Sequence, residues 1–209
     1  MKENKGILAY IIFFGALWGI LEASLGYVLQ FLPPLVSGSV MFPIAASLMI
    51  LTYNHTKSKS AILYVAMIAA SIKSVNFFMP GLLPIKTYNP MIAIMLQSLV
   101  MVVIIPRLEK KKVSQVILGL AVLGFSWRLL FLGNIAINHA LTGFQFIQLQ
   151  SISSMISFVF LYGLFEAIFA ILIFFASKLI RTKISYTFRP NLALSLSSYA
   201  IAILLTIFL

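Results

Sequence analysis

Cysteine is absent from this 209-residue chain. That removes disulfides, thiolate metal sites and cysteine nucleophiles together. Acids are scarce, at 4 against 15 Lys and Arg, and charged residues make up only 9% of the chain. A soluble domain carries about 25% charge. The two histidines, His55 and His139, stand well apart in sequence, so no histidine metal cluster is expected. No metal and no cofactor is predicted. The GxSxG, HExxH and Walker-type patterns are missing, and the acids Glu22 and Glu166 have no attending motif, so the chain is not read as an enzyme.

What the chain has instead is apolar length. Hydrophobic residues make up 62% of it, and the mean hydropathy is +1.08. A small globule has too little interior to hide that much apolar surface. Successive apolar runs of roughly 17–25 residues predict an all-α, polytopic transmembrane helix bundle of six to seven spans. The spans fall at about 6–32, 37–53, 61–79, 89–106, 113–133, 152–177 and 191–209, within a single integral membrane domain over 1–209. The last is serine-rich and reads as a helix appended to a six-span core. The first run continues past signal-peptide length without a small-residue cleavage site, and is expected to be a span.

The cations set an expected orientation. Lys2 and Lys5 precede the first span, Lys57 and Lys59 follow the second, Arg107 and Lys110 to Lys112 follow the fourth, and Lys178, Arg181, Lys183 and Arg189 follow the sixth. With alternating spans these 12 of the 15 bases share one side. The positive-inside rule then predicts a plasma-membrane protein with a cytoplasmic N-terminus. Basic charge placed by topology implies no nucleic-acid partner; the partner it implies is the lipid bilayer.

Four ionisable residues lie inside the spans: Glu22, Lys73, Arg128 and Glu166. A charge at the bilayer centre costs at least ~2.5–3.5 kcal/mol on insertion scales, so such residues pair, line a polar cavity or bind other helices. Helical periodicity places each on a small-residue face. Glu22 goes with Gly15, Trp18, Gly19 and Gly26, and Lys73 with Ala66, Ala69, Ala70 and Asn76. Arg128 goes with Ala121 and Gly124, and Glu166 with Tyr162, Gly163 and Ala170. Small faces let membrane helices approach closely, so the charges are expected to point inward. Glu22 with Lys73 and Glu166 with Arg128 is the simplest pairing; the reverse is equally compatible with the sequence.

Two readings of these charges stay open: locks between helices, or groups that line a binding cavity. Lys73, Asn76, Asn89, Arg128 and His139 are expected towards the outer surface, where Lys73 and Arg128 would touch a ligand while the deeper Glu22 and Glu166 hold them. Asn89 before Pro90 also suits a helix start. The segment Pro80 to Pro90 holds three prolines and reads as a stiff external loop, either a cover or a plain turn. Asn134 to Gln150 reads as the longest external loop. Trp18-Gly19-Ile20-Leu21-Glu22-Ala23 and Tyr162-Gly163-Leu164-Phe165-Glu166-Ala167 share one pattern in spans of opposite direction. This is an inverted-repeat signature of transporters or a coincidence in an apolar chain.

In size, short hydrophobic helices, a basic cytoplasmic side and externally gathered polar residues, the chain resembles the substrate-binding S-components of energy-coupling factor transporters. The resemblance covers most of the chain as architecture. It implies a small polar or vitamin-like nutrient as substrate and a transmembrane coupling subunit with ATPases as partner. It also implies a docking face, for which Gly15, Gly19 and Ala23 recur at helical spacing in the first span. The family's alanine-based motif appears here as Ala66 and Ala70 in the third span, and a seventh span is unusual. The alternatives are an accessory subunit of a larger membrane complex and a stand-alone transporter in which Glu22 or Glu166 carries a proton.

Overall fold

The computed structural model describes residues 2–29, 31, 34–108, 111–183 and 188–209; of residues 2–5, 34–37 and 177–183 the backbone alone is described. Lys110, one of the bases expected to follow the fourth span, lies outside the described residues. So do the side chains of Lys2, Lys5, Lys178, Arg181 and Lys183.

Hydrocarbon offers backbone groups no water, so apolar runs close their own hydrogen bonds as helices. The described residues contain helices and no strand. In chain order they are α1 (Lys2–Leu29), α2 (Pro34–Thr56), α3 (Lys59–Lys73), α4 (Ile85–Leu108), α5 (Val113–Thr142), α6 (Ile152–Ile156), α7 (Tyr162–Lys183) and α8 (Leu192–Phe208). A 3-10 turn (Ser74–Phe78) extends α3, and a π turn (Ser157–Leu161) joins α6 to α7 in one continuous helix. Five helical stretches are long and apolar enough to cross a membrane: Gly6–Leu29, Lys59–Phe78, Ile85–Leu108, Val113–Thr142 and Ile152–Ala176. The chain is a multi-pass membrane protein.

Six neighbouring contacts, α1–α3, α3–α4, α4–α5, α5–α7, α7–α2 and α2–α1, close a ring, and α8 packs outside it against α1 and, less, α3. The Ser195 hydroxyl donates to the Ala9 carbonyl at 2.8 Å, and the Tyr10 hydroxyl to the Phe188 carbonyl at 2.7 Å, fixing α8 and its lead-in to α1. The ring's interior holds Trp18, Phe42, Met49, Val65, Ala66, Met101 and Leu123 in one apolar cluster. Large apolar residues also cover the outside, among them Leu118, Phe160 and Leu172 at 59–64% exposure, as a lipid-facing surface requires.

Two expected loops are largely helical. The stiff segment over 80–90 turns at Pro80-Gly81, where Gly81 takes φ 83, and α4 starts at Ile85. Lys86, Thr87, Tyr88 and Asn89 therefore lie in its first turns. Pro84 stands just before this start, where the first amides have no intrahelical acceptor, and Pro90 lies inside the helix. At the other site α5 runs on through Asn134, Asn138 and His139 to Thr142, ending at Gly143 with φ 69, whose amide donates to the His139 carbonyl at 2.9 Å. At 30 residues α5 is about 45 Å long, more than the ~30 Å hydrocarbon thickness. The apolar run ended where the hydrocarbon ends, and the helix did not.

Candidate functional site: two intramembrane charge sets

The first charge set joins α2, α5 and α7. Arg128 and Glu166 are both 0% exposed, and Arg128 Nε donates to Glu166 Oε2 at 2.9 Å. The rest of the guanidinium is held too. Nη1 donates to the Phe158 carbonyl at 3.1 Å, and Nη2 to Ser39 Oγ at 2.9 Å. Its carbon stands 5.0 Å from the Trp127 ring and 4.8 Å from the Phe158 ring, within cation–π range. Trp127 Nε1 adds a hydrogen bond to Glu166 Oε2 at 2.8 Å. A charged group in so dry a place survives because each direction of its fork meets an acceptor.

Local sequence makes this approach possible. A Cβ on Gly124 would stand 3.1 Å from the Gly163 carbonyl oxygen, and one on Gly163 would stand 2.8 Å from Phe125 Cδ1, so α5 and α7 meet where neither has a side chain. The π turn supplies the rest. In an i to i+5 turn the Tyr162 amide donates to the Ser157 carbonyl, and the neighbouring Phe158 carbonyl accepts from Arg128. Such turns occur often at functional or constrained sites. One atom has no partner: Glu166 Oε1 is buried and accepts no hydrogen bond among the described residues.

The second set lies between α1 and α3. Trp18, fully buried, donates Nε1 to Glu22 Oε1 at 3.2 Å, one turn along the same helix. Lys73 is the charge that acts on Glu22, but the two form no direct ion pair, unlike Arg128 and Glu166. Glu22 and Lys73 are each half-buried, and no described residue gives Lys73 a hydrogen bond. Asn76 follows Lys73 by one turn in the 3-10 segment, against which the start of α4 packs. Asn89, on α4, keeps its Oδ1 buried and unpartnered.

The expected division by sign is therefore replaced by a division by pair. Arg128 was expected to touch a ligand, yet its own chain encloses it, because Ser39, Phe158 and Glu166 take its donors. Glu22 was expected to play a deeper supporting part, yet it stands half-buried beside the unpaired Lys73. His139 is not part of either set: its Nδ1 lies 2.8 Å from the Phe144 carbonyl, at the end of α5. Asn138 donates to the Asn134 carbonyl at 3.1 Å, a local contact along the same helix.

The Gly15, Gly19 and Ala23 stripe has an occupant within the chain. A Cβ on Gly15 would lie 2.6 Å from Ile68 Cβ, and one on Gly19 would lie 2.4 Å from Ile72 Cδ1. Ala23 is buried. The stripe expected to dock a partner closes on α3 instead, since a small-residue face does not specify whose helix it receives. The repeated pattern now has a physical content. Gly19 lets in the helix that carries Lys73, and Gly163 lets in the helix that carries Arg128, each three residues before a glutamate; Glu166 bonds its base directly, whereas Glu22 feels Lys73 only through its charge.

Ser39, Trp127 and the Phe158 carbonyl escaped sequence reading. Trp127 adjoins Arg128 and shares its apolar run, but an indole in such a run gives no sign of bonding to a carboxylate on another helix. Trp127→Phe should keep the ring and remove the donor, costing about 1–3 kcal/mol from a weakened buried carboxylate. Denaturant unfolding in bicelles measures this, and unchanged stability would show that the indole bond contributes nothing.

One groove among the described residues is apolar, lies between α1 and α3, and contains none of the seven residues expected to bind substrate. Among the described residues no group of three or more His, Cys, Asp or Glu could hold a metal ion. No family model, no curated protein and no solved structure matches this chain.

Proposed function

We propose that this chain is a membrane-embedded substrate-binding subunit for uptake of a small polar nutrient, energised by a partner ATPase module. One contrast carries the reading. The chain closes one of its intramembrane charge pairs completely and leaves the other, Glu22 and Lys73, beyond ion-pair distance, neither side chain fully enclosed. Opposite charges in a low-dielectric setting attract strongly, so a fold that holds them apart leaves both available to a polar guest. Asn76, one turn beyond Lys73, and Asn89, on the helix that packs against that turn, are the amides that would supply further contacts. In this reading Arg128, Glu166 and Ser39 fasten α2, α5 and α7 so that the α1–α3 side keeps its shape.

Native mass spectrometry of the protein, released gently from nanodiscs prepared from its own host membranes, tests this. A bound small molecule is expected on the wild type, lost from Glu22→Gln and from Lys73→Met while both remain folded. Retention by both variants would overturn the assignment of the site. The enclosed Arg128 network favours a second reading, an accessory subunit whose charges only join helices. It predicts no small-molecule mass on any form of the protein.

A further inference from the structure

The groove between α1 and α3 has a volume of about 570 Å³. Ile7, Leu8 and Ile11 form one wall, and Tyr64, Met67 and Ile68 the other. It opens sideways from the bundle: Leu8, Tyr64 and Met67 are 47–52% exposed. At one end Ser71 closes it, its hydroxyl 3.2 Å from that of Tyr199 on α8. From Tyr64 to Ser71 the helix rises about 10 Å, less than the ~15 Å of one leaflet. The groove is thus shorter than one leaflet, and its Tyr64 end faces the start of α3.

That end is basic. Lys57 and Lys59 are exposed there at the start of α3, and Arg189 is exposed next to Phe188, whose carbonyl is bonded to Tyr10 of α1. The sequence adds Lys2 and Lys5 to this end, together with the acid Glu3, and places Glu109 on the same side among Arg107 and Lys110 to Lys112. An apolar slot of sub-leaflet length beneath a cluster of cations matches one kind of molecule: a hydrocarbon chain with an anionic headgroup. We infer that the groove holds an acyl chain of an anionic phospholipid, whose phosphate meets Lys59 and Arg189. Tyr64, five residues beyond Lys59 on α3, would stand beside the acyl chain, an aromatic of the kind common at the membrane interface. Juxtamembrane bases attract anionic lipid in general; the groove adds a place for the chain, so that attraction becomes retention of one molecule.

The test uses the intact protein in nanodiscs made from equal amounts of phosphatidylglycerol and phosphatidylcholine, followed by native mass spectrometry. Wild-type protein is expected to keep one lipid, with phosphatidylglycerol favoured at least about threefold. The double variant Lys59→Glu with Arg189→Glu should bring that ratio close to equality. Met67→Trp and Leu8→Trp, both at exposed positions, should fill the groove and remove most of the retained lipid of either kind with melting temperature unchanged. Equal retention of the two lipids by the wild type would overturn the proposal. So would full retention by both tryptophan variants, or a homodimer that these variants dissociate, which would give the groove to a second copy of the chain.

Discussion

Arg128→Leu is expected to destabilise the protein by about 3–5 kcal/mol, the usual consequence of leaving one partner of a buried ion pair alone. The geometry explains why. Glu166 would keep only the indole of Trp127 at 2.8 Å, in a place with no exposure to solvent. Glu166→Leu has the same character but a smaller effect, because Arg128 keeps the Ser39 hydroxyl, the Phe158 carbonyl and two aromatic faces. Combining the two should recover much of the loss, since no isolated charge is left and leucine suits the apolar surroundings. The coupling between the sites is expected in the upper part of the ~0.5–3 kcal/mol range for contacting residues. Arg128→Lys should fall between, as a single ammonium cannot span three acceptors on two other helices. Unfolding by detergent titration in bicelles, monitored by tryptophan fluorescence, supplies all four numbers. Single variants as stable as the wild type would show that the pair does not hold the helices.

The second large effect is expected at Gly15. A Cβ there would lie 2.6 Å from Ile68 Cβ, 2.7 Å from Ile68 Cγ2 and 3.0 Å from the Val65 carbonyl oxygen. None of these atoms lies at the free end of a flexible side chain, so α1 has to move away from α3. Gly15→Ala is expected to cost about 1–3 kcal/mol through overpacking, and Gly15→Leu more. Gly19→Ala should be milder, because its nearest atom is Ile72 Cδ1, which can rotate aside. Gly6→Ala is the control: nothing lies within 4 Å of its Cβ, and alanine is the better helix former by roughly 0.5–1 kcal/mol. Ile68→Ala removes Ile68 Cγ2 but keeps the Cβ at 2.6 Å, so it should rescue Gly15→Ala little, and Ile68→Gly, which removes both atoms, should rescue it more. The same unfolding experiments give the ranking, and a Gly15→Ala protein as stable as the Gly6→Ala control would mean that the helices do not approach so closely. A displaced α1 would also move Glu22 relative to Lys73, so Gly15→Ala is expected to weaken binding of any guest held between them.

Helix number and the inward direction of the buried charges were legible because they follow from cost. A bilayer demands long apolar helices, and a base within one must face protein. Glu166 with Arg128 was one of two pairings that the sequence allowed, and the structure selects it. Helix ends were less legible. Ile85 to Asn89 and Asn134 to Thr142 are polar enough to resemble loops, yet a helix needs hydrocarbon for its placement and not for its hydrogen bonds. The docking role of Gly15 and Gly19 depended on which helix would arrive, and no local pattern encodes that. Ser39 lies 89 positions from Arg128 in sequence, and only the ring of helices brings them together.

The π turn between α6 and α7 also governs how this helix can be read. A turn closed from i to i+5 takes up about one more residue than an α turn, so it shifts the helical phase by about 100° between the residues before Ser157 and those after Leu161. A wheel drawn straight through would place Glu166 correctly relative to Tyr162 and wrongly relative to Ser153. Loss of a single residue in this turn would therefore swing the carboxylate from Arg128 towards lipid while leaving every apolar residue of α7 in an equally apolar sequence. In this helix the count of residues is as much a part of the charge site as their identity.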